Sequence, residues 1–219
     1  MERKIPIVKE KKIIGLTGIY CTGKNHVGLL LEQRGIPVLD ADKLGHMVIE
    51  MEKERILARF GDDILGEDGL IDRKKLSAKV FGKPAELAAL ENIVHPRVNR
   101  EVLAWIDTRT EKACVINAAL LHRSSVFETM DAIIVVEAPF LTRLLRARKR
   151  DNLPWLTLLK RFRSQKEFTS QYSMGKTDIY RVSNPSGCTV SGYFGLRTRF
   201  LRNKLEKRID EILSLQGIT

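Results

Sequence analysis

Gly18-Ile19-Tyr20-Cys21-Thr22-Gly23-Lys24-Asn25 is the stretch on which the fold turns. It fits G-x-x-x-x-G-K-[ST] at every defined position except the last. Glycines at this spacing let the backbone fold into a nest of N–H groups around phosphate oxygens. The N-terminus of the following helix adds partial positive charge, and the lysine reaches the β- and γ-phosphates. The last position ordinarily offers a hydroxyl to Mg²⁺. Here Asn25 offers an amide oxygen, a weaker candidate metal contact. A glycine-containing strand–helix turn with an accidental lysine is the plainer alternative, and the flanking sequence argues against it.

Upstream, Ile13-Ile14-Gly15-Leu16-Thr17 reads as a short buried strand running into the loop. Downstream, residues 24–34 read as a helix with Val27, Leu30 and Leu31 on one face, closed by Gly35. Ile36-Pro37-Val38-Leu39 is a second strand, ending at Asp40-Ala41-Asp42. Strand, helix and strand over so short a span make a βαβ unit with parallel strands and a right-handed crossover.

Residues 43–107 read as helices separated by turns at Gly61-Asp62-Asp63, Glu67-Asp68-Gly69 and Gly82-Lys83-Pro84, with Pro96 expected to interrupt or restart a helix. Strand patterns return at 114–118 and 132–136 as near-continuous apolar runs, the mark of strands covered on both faces. Basic helices are expected near 140–150 and 155–172, a fifth strand at 178–183, a turn at Asn184-Pro185-Ser186-Gly187 and a last helix near 196–214. The expected fold class is α/β: a three-layer phosphate-loop core around a parallel five-stranded sheet. Residues 11–41, 108–138 and 177–219 would form that core, 42–107 a helical insertion that binds the acceptor, and 139–176 a basic lid.

The chain has 219 residues, 43% hydrophobic and 30% charged, with a formal charge of +11. That surplus attracts polyanions or phosphorylated ligands. From Arg143 to Lys166 nine basic residues accompany one acid, Asp151, so much of it sits on a structured segment. No apolar run approaches the roughly 20 residues of a membrane-spanning helix, and Cys21, Cys114 and Cys188 lack metal-ligand spacing. A cytoplasmic protein with reduced thiols, no membrane association and no nucleic-acid partner is expected.

Ordered short matches resemble the dephospho-CoA kinase family. They include Gly15-Leu16-Thr17-Gly18, Thr22-Gly23-Lys24, Asp40-Ala41-Asp42 with His46, Phe60-Gly61, and Asp68-Gly69-Leu70-Ile71-Asp72-Arg73. Val80-Phe81, Leu90-Glu91, His95-Pro96, Arg146, Arg150-Asp151, Gln165 and Asn184 continue the series. The resemblance implies ATP- and Mg²⁺-dependent phosphorylation of the ribose 3′-hydroxyl of dephospho-CoA. Ile19, Tyr20 and Cys21 depart from the small or apolar residues of the family's loop, and Asn25 and His26 from its hydroxyl residues. Ala119-Leu120-Leu121-His122-Arg123 stands where the family has P-L-L-x-E.

On this resemblance Gly18, Cys21, Thr22, Gly23, Lys24, Asn25, His26 and Arg146 bind ATP, and Thr17, Asp42, Arg73 and His95 bind the acceptor. Lys24, Asp42 and Arg150 are the candidate catalytic residues. Asp42 orients or deprotonates the acceptor hydroxyl, or else caps a helix beginning at Lys43. Arg146 and Arg150 lie four apart on one helix face and suit phosphate oxygens. A helix N-terminus lowers a thiol pKa, so Cys21 is either oxidation-sensitive or a tolerated substitution. Three other functions remain open: a different nucleoside or nucleotide kinase, an ATP-binding descendant with weak turnover, and a nucleic-acid-binding protein. The last would lose affinity steeply with salt.

Overall fold

The computed structural model describes residues 11–119, 121, 125–163, 177–185 and 195–218. Leu120, His122, Arg123, Gln165, Cys188 and most of the segment 185–195 lie outside them. The chain divides into two compact units, Met1–Leu39 with Arg109–Arg123 and Phe127–Thr219, and Asp40–Thr108 with Ser124–Val126.

The first unit carries the sheet. Its elements are β1 (Lys12–Thr17), α1 (Lys24–Glu32), β2 (Val38–Asp40, its last residue already in the second unit), β3 (Ala113–Asn117), β4 (Ala132–Glu137) and β5 (Asp178–Ser183). The strand order is β2-β3-β1-β4-β5. β1 runs parallel to both β3 and β4, and β4 runs parallel to β5. The parallel five-stranded sheet expected from the sequence is therefore present, with the loop strand at its centre.

Ile14, Leu16, Val115, Ile133 and Ile134 are fully buried, as near-continuous apolar runs in a parallel sheet should be. Each such side chain contributes about 1.5–3 kcal/mol when removed from water. Val27, Leu30 and Leu31 of α1 join that core from one side. Leu205, Ile209 and Ile212 of the last helix, α8 (Gly195–Leu215), join it as well. Asp131 pins the start of the central strand: it accepts from the Ile13 N–H at 2.8 Å and pairs with Lys12 at 3.0 Å.

The second unit is helical: α2 (Ala41–Met51), α3 (Lys53–Phe60), α4 (Arg73–Val80) and α5 (Pro84–Asp107). Ile56, Phe60, Ile64, Ile71, Leu76 and Val80 form its core, with Leu90, Ile93 and Val94 of α5 packed against it. Here the sequence expectation fails at Pro96, which lies inside a continuous α5. Proline removes one intrahelical hydrogen bond. The apolar residues just before it bury against the unit's core, and this packing carries the helix through.

The basic segment belongs to the first unit and forms α6 (Phe140–Asp151) and α7 (Trp155–Arg163), before β5 and α8. No helix among the described residues is long and apolar enough to cross a membrane.

Candidate nucleotide site

The loop between β1 and α1 has the geometry of a phosphate cradle. Gly23 is the N-cap of α1 at φ 89°, and no side chain caps the helix. The His26 and Val27 N–H groups donate to the Gly23 carbonyl at 3.0 and 3.3 Å, and a helix N-terminus without a side-chain cap is one that suits an anion. A Cβ on Gly23 would sit 2.4 Å from Asn184 Nδ2, and one on Gly18 would sit 2.7 Å from the Val136 carbonyl oxygen. Gly23→Ala thus meets both a left-handed backbone and a clash. We expect a loss of about 1–3 kcal/mol of stability together with weaker nucleotide binding, read by thermal unfolding and calorimetry.

The loop's outward-facing carbonyls are tied down. Arg146 donates to the Thr22 carbonyl at 2.8 Å, to that of Cys21 at 3.2 Å and to that of Asn184 at 2.9 Å. Buried Asn184 donates from Nδ2 to the Thr22 carbonyl at 3.0 Å. In this structure the Arg146 fork thus secures the loop, and Asn184, matched in the sequence only as part of a motif, is its second clamp. The Thr22 hydroxyl donates to the Ile19 carbonyl at 2.9 Å, and the buried Thr17 hydroxyl donates to the Ala119 carbonyl at 3.3 Å.

The unusual Ile19-Tyr20-Cys21 segment packs against the basic helices. Tyr20, Cys21, Leu144 and Leu153 pack around buried Ala147, Leu158 and Phe162. The Tyr20 hydroxyl donates to Asp151, its ring lies edge-on to Phe162 at 5.4 Å, and the Arg150 guanidinium sits 4.9 Å over it. Arg150 also pairs with Asp151 at 2.7 Å. Arg143 escaped the sequence reading as an individual residue. It donates to the Tyr20 carbonyl at 2.9 Å and lies 4.7 Å over Phe162. Burial holds its guanidinium below the ordinary value. The bulky loop residue is thus an anchor between α6 and α7 rather than a defect in the cradle.

Electrostatics refine two other residues. Burial pushes the Cys21 thiol up by more than Arg150, Arg143 and Arg146 pull it down. This is the reverse of the helix N-terminus expectation, and the neutral thiol dominates. Burial, then Arg202 and Arg146, lower the His26 pKa from 6.5, so its imidazole is neutral at pH 7. The unfolded chain then binds the proton more readily, so His26 costs stability as pH falls through its unfolded value of 6.5. An imidazole NMR titration should give a midpoint below 6.5, and removing the arginine with Arg202→Gln should raise it.

Lys24 donates to Asn117 Oδ1 at 3.0 Å, and Asn117 Nδ2 donates to Asn25 Oδ1 at 3.2 Å. Asn117 ends β3 and was missed in the sequence, where its only signal is a polar residue closing an apolar strand. Both amide oxygens on this side of the loop already accept hydrogen bonds. Among the described residues no group of three or more His, Cys, Asp or Glu is placed to hold a metal ion. Mg²⁺ demands oxygen donors in near-ideal octahedral geometry, and these amides do not fit a resident site.

In the second unit, Asp40 rather than Asp42 caps α2: its carboxylate accepts from the Lys43 N–H at 3.1 Å. Exposed Asp42 lies in the first turn. Arg73 opens α4 and is exposed, and half-buried His95 lies within α5.

Comparison with known proteins gives one consistent result. The family model for dephospho-CoA kinase matches residues 12–182. The dephospho-CoA kinase of Shouchella clausii is 35% identical over 164 residues, covering 72% of this chain and 83% of its own. That of Treponema pallidum is 31% identical over 216 residues, covering 94% and 96%. A crystal structure from Thermus thermophilus superposes with a TM-score of 0.72 at 28% identity, covering 92% of this chain and 98% of the other. On the family model and these relatives, this chain belongs to the dephospho-CoA kinase family.

Proposed function

We propose that this chain transfers the γ-phosphoryl group of ATP to the ribose 3′-hydroxyl of dephospho-CoA, giving coenzyme A and ADP. The observation that carries the reading is the loop from Gly18 to Asn25, open at the N-terminus of α1 with Lys24 beside it, in a chain matched to the family over residues 12–182. Phosphoryl transfer asks the protein for positioning and charge neutralisation more than for covalent chemistry. The loop N–H groups and Lys24 hold the β- and γ-phosphates. Arg146 and Asn184 keep the loop carbonyls turned away from the anion. The acceptor oxygen forms its bond to phosphorus as the bond to the β-phosphate oxygen breaks.

Asp42 takes the hydroxyl proton. What supports this is that the cap of α2 is Asp40 and not Asp42. His95 and Arg73 serve the acceptor, and Arg150 serves the transferred group once it leaves Asp151. Any Mg²⁺ would be part of the Mg·ATP substrate, where it would supply neutralisation of phosphate charge. The reaction is placed in the cytoplasm, with a small-molecule acceptor as the partner.

An acceptor panel tests the reading. Dephospho-CoA should support ADP formation at least tenfold faster than any nucleoside monophosphate, the margin expected when a hydrogen-bonding site rejects the wrong acceptor. Faster turnover of a nucleoside monophosphate would move the assignment to another small-molecule kinase.

A further inference from the structure

β3 is apolar from Ala113 to Ile116 and closes on Asn117, which is 3% exposed. A buried amide survives in a folded chain when its hydrogen bonds are met. Those of Asn117 are met by two residues of the phosphate loop, Lys24 at 3.0 Å and Asn25 at 3.2 Å. The register explains how: Asn117 pairs with Leu16 of β1, one residue from the end of the strand that feeds the loop.

In phosphate-loop nucleotide enzymes generally, the loop's last hydroxyl and a carboxylate from a nearby strand hold the metal. Here the loop position and the strand end are two amides bonded to each other. The pair brings no anionic oxygen to a cation. It has a complementary consequence for Lys24. An amide at this distance orients the ammonium without bringing a charge of its own. With three N–H donors, the ammonium can keep Asn117 and still reach phosphate oxygens.

We propose that Asn117 is a positioning residue that sets Lys24 and Asn25 as one unit, so that nucleotide affinity depends little on a protein-held divalent cation. The proposal rests on the nucleotide-binding part of the function above. The measurement is ADP affinity by calorimetry on the full chain, in Mg²⁺ and again in EDTA. Wild type should bind ADP in both, with constants within about threefold of one another. Asn25→Ser with Asn117→Asp installs a hydroxyl and a carboxylate, and Mg²⁺ should then tighten ADP binding by about tenfold or more. Asn117→Asp alone should weaken ADP in EDTA by about tenfold, as the carboxylate pairs with Lys24.

Tightening by Mg²⁺ of more than about threefold in wild type would overturn the proposal, and this ratio decides it even where a variant fails to fold. An unchanged ratio in the folded double variant would overturn it too. No ADP binding by wild type in either buffer would instead contradict the nucleotide-binding reading itself.

Discussion

Lys24→Met should lower kcat/KM for ATP by about 10²–10³-fold, the cost of removing one positioned group that stabilises developing charge. Methionine keeps the length of the side chain and loses only the charge and its donors. The ammonium stands at the open N-terminus of α1, 3.0 Å from Asn117 Oδ1, where phosphate charge would gather. Removing it also strips a donor from a buried amide oxygen, at about 1–3 kcal/mol. For a chain of this size that is a fall of several degrees in Tm. Steady-state kinetics and thermal unfolding together separate the two effects. A kcat/KM within a few-fold of wild type would mean that Lys24 does not contact the transferred phosphates.

Asp42→Asn should lower kcat by about 10²–10⁴-fold, the usual contribution of a positioned general base, with the KM for ATP almost unchanged. Stability should stay within about 0.5 kcal/mol, because an exposed first-turn residue is not the cap. Asp40→Ala is the counterpart. It removes the acceptor for the Lys43 N–H and should cost about 1 kcal/mol of stability. Unchanged turnover in Asp42→Asn would take that residue out of the mechanism, and a marked loss of stability would return it to a structural role.

The parts of this molecule that could be read from sequence are those with local causes. The loop glycines answer to backbone geometry, and the β3 and β4 runs answer to burial on both faces, so both stood out residue by residue. Pro96 shows the opposite case. Its effect on α5 depends on a core gathered from Ile56 to Val80, a tertiary fact that no local rule contains.

The site divides along the same line. Lys24 and Gly23 were evident from their motif. Asn117 was not, because its meaning comes from the pairing of β3 with β1, which sequence order does not give. Tyr20 read only as a departure from the family's small-residue loop, and the fold of α6 and α7 supplies the surroundings of Phe162, Arg150 and Asp151 that account for it. Whether Asp42 caps α2 was likewise beyond the sequence: one hydrogen bond, from the Lys43 N–H to Asp40, gives the cap to Asp40.

The most direct test of the central claim is a discontinuous assay with ATP, Mg²⁺ and dephospho-CoA, following ADP and coenzyme A together. The account predicts that the two products rise in equal amounts and that ADP stays at background when dephospho-CoA is left out. ADP formation indifferent to dephospho-CoA, or no coenzyme A from a chain that binds ADP, would contradict it.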